Sequence, residues 1–345
     1  MKYYVLIFSV LLTQFARAQR DGYGEVLDSF SLDKKFDGVI LVGENGKTVY
    51  SYANGIADRE TGKKITLNNH FKIASLTKTF TATLVMKLVE EGRLELNGVI
   101  GKYLKNYQGE AKDKVTIHHL LTYSSGIPDC EGGKGMEVYQ KRITPIRFID
   151  LYCSGNLVTE PGTHFNYNNA DYIILGKIIE EVTGTGYNEY LNKIILEPLK
   201  LRNTGMATSQ KKNIVQSYTY NDSLKTMQPD EPYFIENYYA AGAMYSTIND
   251  LYVFSNALFG YRLLKKSSVD LMVKPNPDLQ NVGYGFWFSN GFGAFGGDFV
   301  YRPGGILGAT ANWIHILDQK KTILILSNTN RANLFEISSL LAAVN

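Results

Sequence analysis

The chain has 345 residues, with 36 Lys and Arg against 33 Asp and Glu, a formal charge of +3 and 44% hydrophobic residues. That is enough apolar material for one large domain, or two intimate ones, around a substantial core. The near balance of charge gives no electrostatic case for nucleic acid or an anionic membrane as partner. The two cysteines, Cys130 and Cys153, lack the spacing of a metal site.

The chain opens Met1-Lys2-Tyr3-Tyr4, continues with the apolar run Val5 to Leu12, and reaches Ala16-Arg17-Ala18. A charged start, a short apolar core and an Ala-x-Ala site predict a secretory signal peptide cleaved after Ala18, with a mature chain from residue 19 to 345. The apolar run is shorter than the roughly 20 residues that span a bilayer. No cysteine follows the site to carry a lipid, and no later stretch is long and apolar enough to span. The expected location is periplasmic or extracellular. In such an oxidising compartment Cys130 and Cys153 can pair or stay as separate buried thiols, and sequence alone does not give their distance.

Asp37 to Ala53 predicts a β-hairpin, because Val39 to Val42 and Thr48 to Tyr50 flank Asn45-Gly46, a strong two-residue turn signal. Asp58 to Asn69 is polar and loop-like. Phe71 to Gly92 follows, with Leu76, Phe80, Leu84 and Leu88 four apart on one face of a helix. Gly92 is placed to end that helix, and Ser75 lies at or just before its first turn, where serine is a favoured cap. Lys78 is three residues after Ser75 and so shares its helix face. A serine hydroxyl is a weak nucleophile until a neighbour takes its proton. A lysine amine does so only when burial or positive potential lowers its pKa from about 10.4. Ser-x-x-Lys alone is a common pattern and carries little weight without the rest of the chain.

Val115 to Pro128 predicts a short helix capped by Thr116 and ended at Gly126-Ile127-Pro128. Its His118-His119 pair points in two directions on a helix and lacks a His-Glu-x-x-His partner set, which favours structural roles. Glu160 to Tyr172 turns into Tyr167-Asn168-Asn169, and a helix over Ile173 to Val182 follows. Tyr167 and Asn169 are two apart and can face one way in an extended or turning segment. A tyrosine with a reference pKa of about 10 serves as a base when cations hold it ionised. Helix is expected to continue over Gly186 to Met206, ending near Pro198. Lys211 to Tyr239 reads as a long polar excursion near the cleft. A helix is expected from a cap at Thr247. Strands are expected at Tyr284 to Phe288, Thr310 to Leu317 and Thr322 to Ser327, and a closing helix at Leu334 to Val344. Gly291, Gly293 and Gly296 spell a dinucleotide-like spacing, but no helix opens there, so that reading fails. Strands at both ends with helices between predict an α+β fold of the α/β sandwich type, an antiparallel sheet built from the two chain ends and flanked by helices. The sheet region is expected at about 25–75 and 240–345, with a mainly helical region inserted at about 76–239.

Three segments together resemble the serine β-lactamase-related hydrolases of the class C type, with the penicillin-binding DD-peptidases and family VIII esterases. They are Phe71-Lys72-Ile73-Ala74-Ser75-Leu76-Thr77-Lys78, Tyr167-Asn168-Asn169 and Arg302-Pro303-Gly304-Gly305. His119 to Pro128 and Gly242 to Thr247 support the match, which runs in the family's order over nearly all of the mature chain. The resemblance implies a β-lactamase/transpeptidase-like fold and a serine hydrolase working through an acyl-enzyme on an ester or amide. It implies no cofactor, no metal and no obligate protein partner. It assigns Ser75 as nucleophile, Lys78 as its proton partner and Tyr167 as general base and leaving-group acid. It places Asn169 on the lysine and the substrate amide, and the N–H groups of Ser75 and Gly305 in an oxyanion hole. The alternatives it leaves are a DD-peptidase acting on peptidoglycan peptides and a catalytically silent peptidoglycan-binding or scaffold relative.

The third segment departs from the family's Lys-Thr-Gly or His-x-Gly. Arg302 keeps a permanent cation suited to gripping a carboxylate, whereas Pro303 removes a hydroxyl and a backbone donor. The expectation is therefore that Arg302 and Gly304 line the substrate site, with Arg302 binding a substrate carboxylate and β-lactams turned over poorly. A Ser-His-Asp hydrolase of the α/β type is disfavoured, since no Gly-x-Ser-x-Gly elbow exists.

Overall fold

Asn45 and Gly46 take positive φ of 50° and 81°. A tight hairpin turn needs that backbone, and only Gly or Asn enters it cheaply. They join β1 (Gly38–Glu44) to β2 (Lys47–Asn54) in antiparallel register. The computed structural model describes residues 22–27, 36–210, 213–291 and 293–344; the segment read above as a signal peptide lies outside them.

Four strands from the far end of the chain complete the sheet: β6 (Trp287–Ser289), β7 (Phe299–Ile306), β8 (Ala309–Ile316) and β9 (Lys321–Ser327). The order is β6-β7-β8-β9-β1-β2, and every neighbouring pair is antiparallel. Successive side chains of a strand face opposite sides. Val39, Leu41, Trp313, Leu324 and Leu326 therefore enter the main core. Ile40, Val42, Ile314, Ile323 and Ile325 enter a smaller one with Ile337 and Leu341 of α7 (Leu334–Ala342). This is the antiparallel sheet from both chain ends that the sequence predicts.

Between the two halves of the sheet lie the helices that place the site. They are α1 (Thr77–Glu90), α2 (Ile117–Leu121), α3 (Pro145–Tyr152) and α4 (Ala170–Thr183). The short α5 (Tyr239–Gly242) and α6 (Ile248–Phe259) follow them. A small sheet holds β3 (Phe71–Lys72) and β4 (Gly205–Met206) on either side of β5 (Met244–Ser246). Helix α1 is buried almost all round: Phe80, Ala82, Leu84, Val85 and Leu88 are fully buried, and Phe80 stacks on Phe254 of α6 at a centroid distance of 3.7 Å. Thr81 and Thr83 sit in this apolar setting because each hydroxyl returns a hydrogen bond to the carbonyl four residues back.

Several expected elements differ in detail. Helix is not continuous over 186–206: it stops at Leu191, passes through a π-turn at Asn192–Leu196, and gives way to β4. The excursion at 211–239 contains a hairpin, Tyr218–Asn221 against Thr226–Pro229. Arg302 to Gly305, for which no strand was expected, lies inside β7. Strand β6 covers β7 only over Phe299–Tyr301. From Arg302 onward that edge carries no β6 partner, so Pro303 is tolerated there.

Leu84 has no exposed surface, and truncating such a side chain removes transfer energy and leaves a cavity. Leu84→Ala is expected to lower unfolding free energy by about 2–5 kcal/mol. A fall in the denaturation midpoint, followed by circular dichroism, measures it; an unchanged midpoint contradicts the packing described.

Candidate active site

Ile73 is tied to the small sheet by its N–H, which donates to the Met244 carbonyl. Ala74 then turns with φ of +46°, a strained value for a residue with a Cβ, and a 3₁₀ turn over Ala74–Leu76 leads into α1. The sequence suggested that Ser75 caps this helix. The structure differs: Leu76 is the N-cap residue, and no side chain caps it. The Ser75 hydroxyl is thereby left for other partners. Its Oγ lies 2.8 Å from Tyr167 Oη and accepts a 3.2 Å hydrogen bond from Lys78 Nζ.

Lys78, one turn on, has no exposed surface. Its ammonium also donates to Asn169 Oδ1 at 2.6 Å and to the Ala241 carbonyl of α5 at 2.8 Å. Burial pulls its pKa below the lysine range, and the Arg302 charge acts the same way, while Tyr167 and Glu131 oppose it. Asn169 is held in turn, its Nδ2 donating to Glu131 Oε1 at 2.7 Å and to Tyr139 Oη at 3.3 Å.

Arg302 is a further correction. The sequence placed it in the cleft as a grip for a substrate carboxylate, but it has no exposed surface. Its Nε donates to the Ser75 carbonyl at 2.9 Å, Nη1 to Tyr123 Oη at 2.9 Å and Nη2 to Tyr167 Oη at 3.1 Å. The guanidinium lies 4.9 Å from the ring centre of Trp287, 5.5 Å from that of Tyr167 and 5.8 Å from that of Tyr123. Three rings at such distances form a cation–π box. With three nitrogens engaged inside the protein, the guanidinium acts on Tyr167 and on the Ser75 backbone instead of on a carboxylate arriving from solvent.

The Tyr167 hydroxyl therefore faces two cations. Tyr167 keeps 36% of its surface exposed; the enclosed part of the phenol pushes its pKa up, but the charges of Lys78 and Arg302 and the hydrogen bond from Ser75 outweigh this and bring it down to about 8. Other tyrosines packed here go the opposite way: burial raises Tyr123 well above its usual range and raises Tyr172 as well. Chemically, the arrangement is a hydroxyl with a phenol of lowered pKa at 2.8 Å and a lysine amine at 3.2 Å. That is the requirement for proton transfer to and from Ser75.

Gly304 and Gly305 follow Arg302 on the open edge of β7. A Cβ on Gly304 would lie 2.8 Å from the Ile73 carbonyl and 3.2 Å from the Ser75 nitrogen. The strand thus approaches the serine turn as closely as a glycine permits. A Cβ on Gly305 would meet nothing within 4 Å. Ser75, Lys78, Tyr167, Asn169, Arg302 and Gly304 thus converge on one place. The paired histidines stay outside it: His119 accepts from the Thr116 N–H in a capping box on α2, and His118 Nδ1 meets Tyr284 Oη at 2.7 Å.

Sequence reading missed Glu131, Tyr139, Tyr123, Trp287 and the Ala241 carbonyl. Nothing in Asp129-Cys130-Glu131 marks that glutamate as a partner of Asn169, because 38 residues separate them. The Tyr123 position had a signal only in the supporting His119 to Pro128 segment. Cys130 and Cys153 are both buried free thiols.

Known proteins share this architecture. A model of the family described as Beta-lactamase matches residues 23–342. Penicillin-binding protein 4* of Bacillus subtilis is 27% identical over 330 residues, 90% of this chain and 72% of that protein. Teichoic acid D-alanine hydrolase of Staphylococcus aureus is 28% identical over 268 residues, 75% of this chain, and the match spans 64% of that protein's length. Among solved structures, the octameric penicillin-binding protein homologue from Pyrococcus abyssi superposes with a TM-score of 0.78 at 27% identity, covering 94% of this chain and 76% of that one.

The Tyr167 environment has a direct spectroscopic consequence. The tyrosinate absorbance difference between wild type and Tyr167→Phe is expected to titrate with a midpoint of about 8. In Arg302→Ala that midpoint moves up toward the reference value of about 10, because a cation that favours the phenolate is gone. A midpoint unmoved in Arg302→Ala contradicts the electrostatic role given to the guanidinium.

Proposed function

We propose, for a chain that belongs to the Beta-lactamase family of serine hydrolases, that Ser75 is the residue acylated by an ester or amide substrate. The observation that carries this reading is the 2.8 Å approach of Tyr167 Oη to Ser75 Oγ, with Lys78 Nζ on the same oxygen. Ionised Tyr167 takes the Ser75 proton as Oγ bonds to the substrate carbonyl carbon. The carbonyl π pair moves onto oxygen, where the N–H groups of Ser75 and Gly305 receive it; each such donor is worth a few kcal/mol. As the tetrahedral centre collapses, the bond to the leaving group breaks and Tyr167 returns its proton to that group. Water then enters by the same route, giving up a proton to Tyr167, and the acid departs as Ser75 regains its own. Lys78 stays charged through the cycle, supporting the phenolate and fixed by Asn169 and Ala241.

The engagement of Arg302 shapes the proposed substrate class. A charged hydrogen bond to a carboxylate contributes about 1.5–3 kcal/mol. With the guanidinium turned inward, we expect small esters and amides with neutral leaving groups to be preferred over peptides or β-lactams that depend on a carboxylate grip. A D-alanyl ester is the natural first member to try, given the name of the staphylococcal relative. The likeness to penicillin-binding protein 4* keeps a DD-peptidase as the second reading. For location we propose export, with cleavage after Ala18; among the described residues no helix is long and apolar enough to cross a membrane.

Three outcomes check this. A fluorophosphonate probe is expected to add to Ser75, seen by intact mass, and Ser75→Ala to abolish the adduct; labelling that survives places the nucleophile elsewhere. In a panel of a D-alanyl ester, a matched peptide ending in D-Ala-D-Ala and a chromogenic cephalosporin, kcat/KM for the ester is expected to lead by about tenfold or more, the scale of one charged hydrogen bond. Brisk cephalosporin turnover would refute the substrate class while leaving Ser75 in place. N-terminal sequencing of exported material should begin at Gln19, and an intact Met1 would argue against cleavage.

A further inference from the structure

Asn169 meets Lys78 through its amide oxygen at 2.6 Å. An asparagine side chain offers an acceptor on one arm and donors on the other, and a lysine ammonium accepts nothing. The orientation with nitrogen toward Lys78 would set two donors face to face. What selects the productive orientation lies on the far side of the amide, where Nδ2 donates to Glu131 Oε1 at 2.7 Å. The same carboxylate oxygen accepts from Tyr139 Oη at 2.6 Å. Glu131 is itself held in a built turn. Its N–H donates to Asp129 Oδ1 at 3.0 Å, and its carbonyl accepts from the N–H groups of Lys134 and Gly135 at 2.9 Å and 2.7 Å. Tyr139 is fixed by stacking on Tyr238 at 3.7 Å between ring centres.

Charge gives a second, independent argument. Lys78 and Arg302 are cations without exposed surface, and among the described residues neither has a carboxylate within ion-pair distance. The groups around Lys78 are Tyr167, Tyr172, Arg302, Asp171 and Glu131. Burial drives Asp171 toward its neutral acid form, its carboxyl accepting from Ser125 and, at 3.5 Å, from Asn168. Half-buried Glu131, one amide away from the ammonium, is the carboxylate best placed to offset the Lys78 charge.

We propose that Glu131 is a positioning residue: it fixes the Asn169 amide with its oxygen toward Lys78, and its negative charge offsets the buried Lys78 ammonium beside Ser75. The inference rests on the reading of Ser75 as nucleophile. Glu131 touches neither the serine nor the expected place of the substrate; it acts through Asn169. Its charge raises the proton affinity of Lys78. Without that charge Lys78 gives up its proton at lower pH, and the Tyr167 phenolate loses a supporting cation there.

The test is the rate of fluorophosphonate addition to Ser75 as a function of pH, in wild type, Glu131→Gln and Glu131→Ala. In this reaction Ser75 Oγ bonds to phosphorus, fluoride leaves and the hydroxyl proton passes to Tyr167. Glutamine keeps an acceptor for Asn169 and Tyr139 but no charge. The alkaline limb of its profile is expected about 0.5–1 pH unit below that of wild type, less than the one to three units of a direct ion contact. Alanine also frees the Asn169 amide, and the rate is expected to fall about tenfold or more across the pH range, with Gln recovering most of that loss. If wild type takes no label at Ser75, the nucleophile reading itself fails. If wild type is labelled and the Gln profile coincides with it, the role of Glu131 is refuted while the nucleophile stands. If Gln and Ala are slowed equally with no change in the shape of the profile, Glu131 only braces its loop and the proposal is likewise overturned.

Discussion

Two positive charges with no access to solvent lie beside one phenol, and the site is built around their balance. An isolated buried charge is costly, and an uncompensated one more so. Lys78 and Arg302 are tolerated because each donates three hydrogen bonds to protein acceptors: the Ser75 oxygens, the Asn169 amide, the Ala241 carbonyl and the hydroxyls of Tyr123 and Tyr167. The same pair makes ionisation of Tyr167 easier than that of an ordinary tyrosine. Stability and reactivity are thus two sides of one arrangement. Perturbed groups of this kind gather where chemistry is done.

The fold was legible where the signal was local. Asn45-Gly46 called for a hairpin, Thr116 capped α2 and Thr247 capped α6, each through its own side-chain oxygen or backbone angle. The spacing of Ser75 and Lys78 needs only helix geometry to be read. The inward turn of Arg302 was illegible for a physical reason. Whether a guanidinium faces solvent or core depends on Tyr123, Tyr167 and Trp287, which approach it from three separate stretches of chain. Likewise no strand was read at Pro303-Gly304-Gly305, because strand identity there comes from pairing with β8 and not from propensity. Glu131 carries no local pattern at all.

The contrast with the family's usual Lys-Thr-Gly is instructive in this light. A lysine at the Arg302 position would present one point charge on a flexible stem, whereas the guanidinium forks across two phenols and a carbonyl at once. Through Nε the guanidinium links strand β7 to the serine turn. The close approach of Gly304 to Ile73 and Ser75 serves the same link from the backbone side.

The position of β1 in the sheet bears on how the chain comes to be folded at all. Strand β1 is flanked by β2, made next, and by β9, made almost last; the hydroxyl of Ser327 donates to the Asp37 carbonyl across 290 residues of sequence. On a ribosome the β1–β2 hairpin therefore emerges with one long edge open and waits until β9, some 290 residues on, has been made before that edge is closed. Contacts of such sequence separation slow folding, since the loop entropy is lost before they form. An exposed strand edge is also a template for unwanted pairing. A truncation that removes β9 leaves β1 without its partner and the two halves of the sheet unjoined.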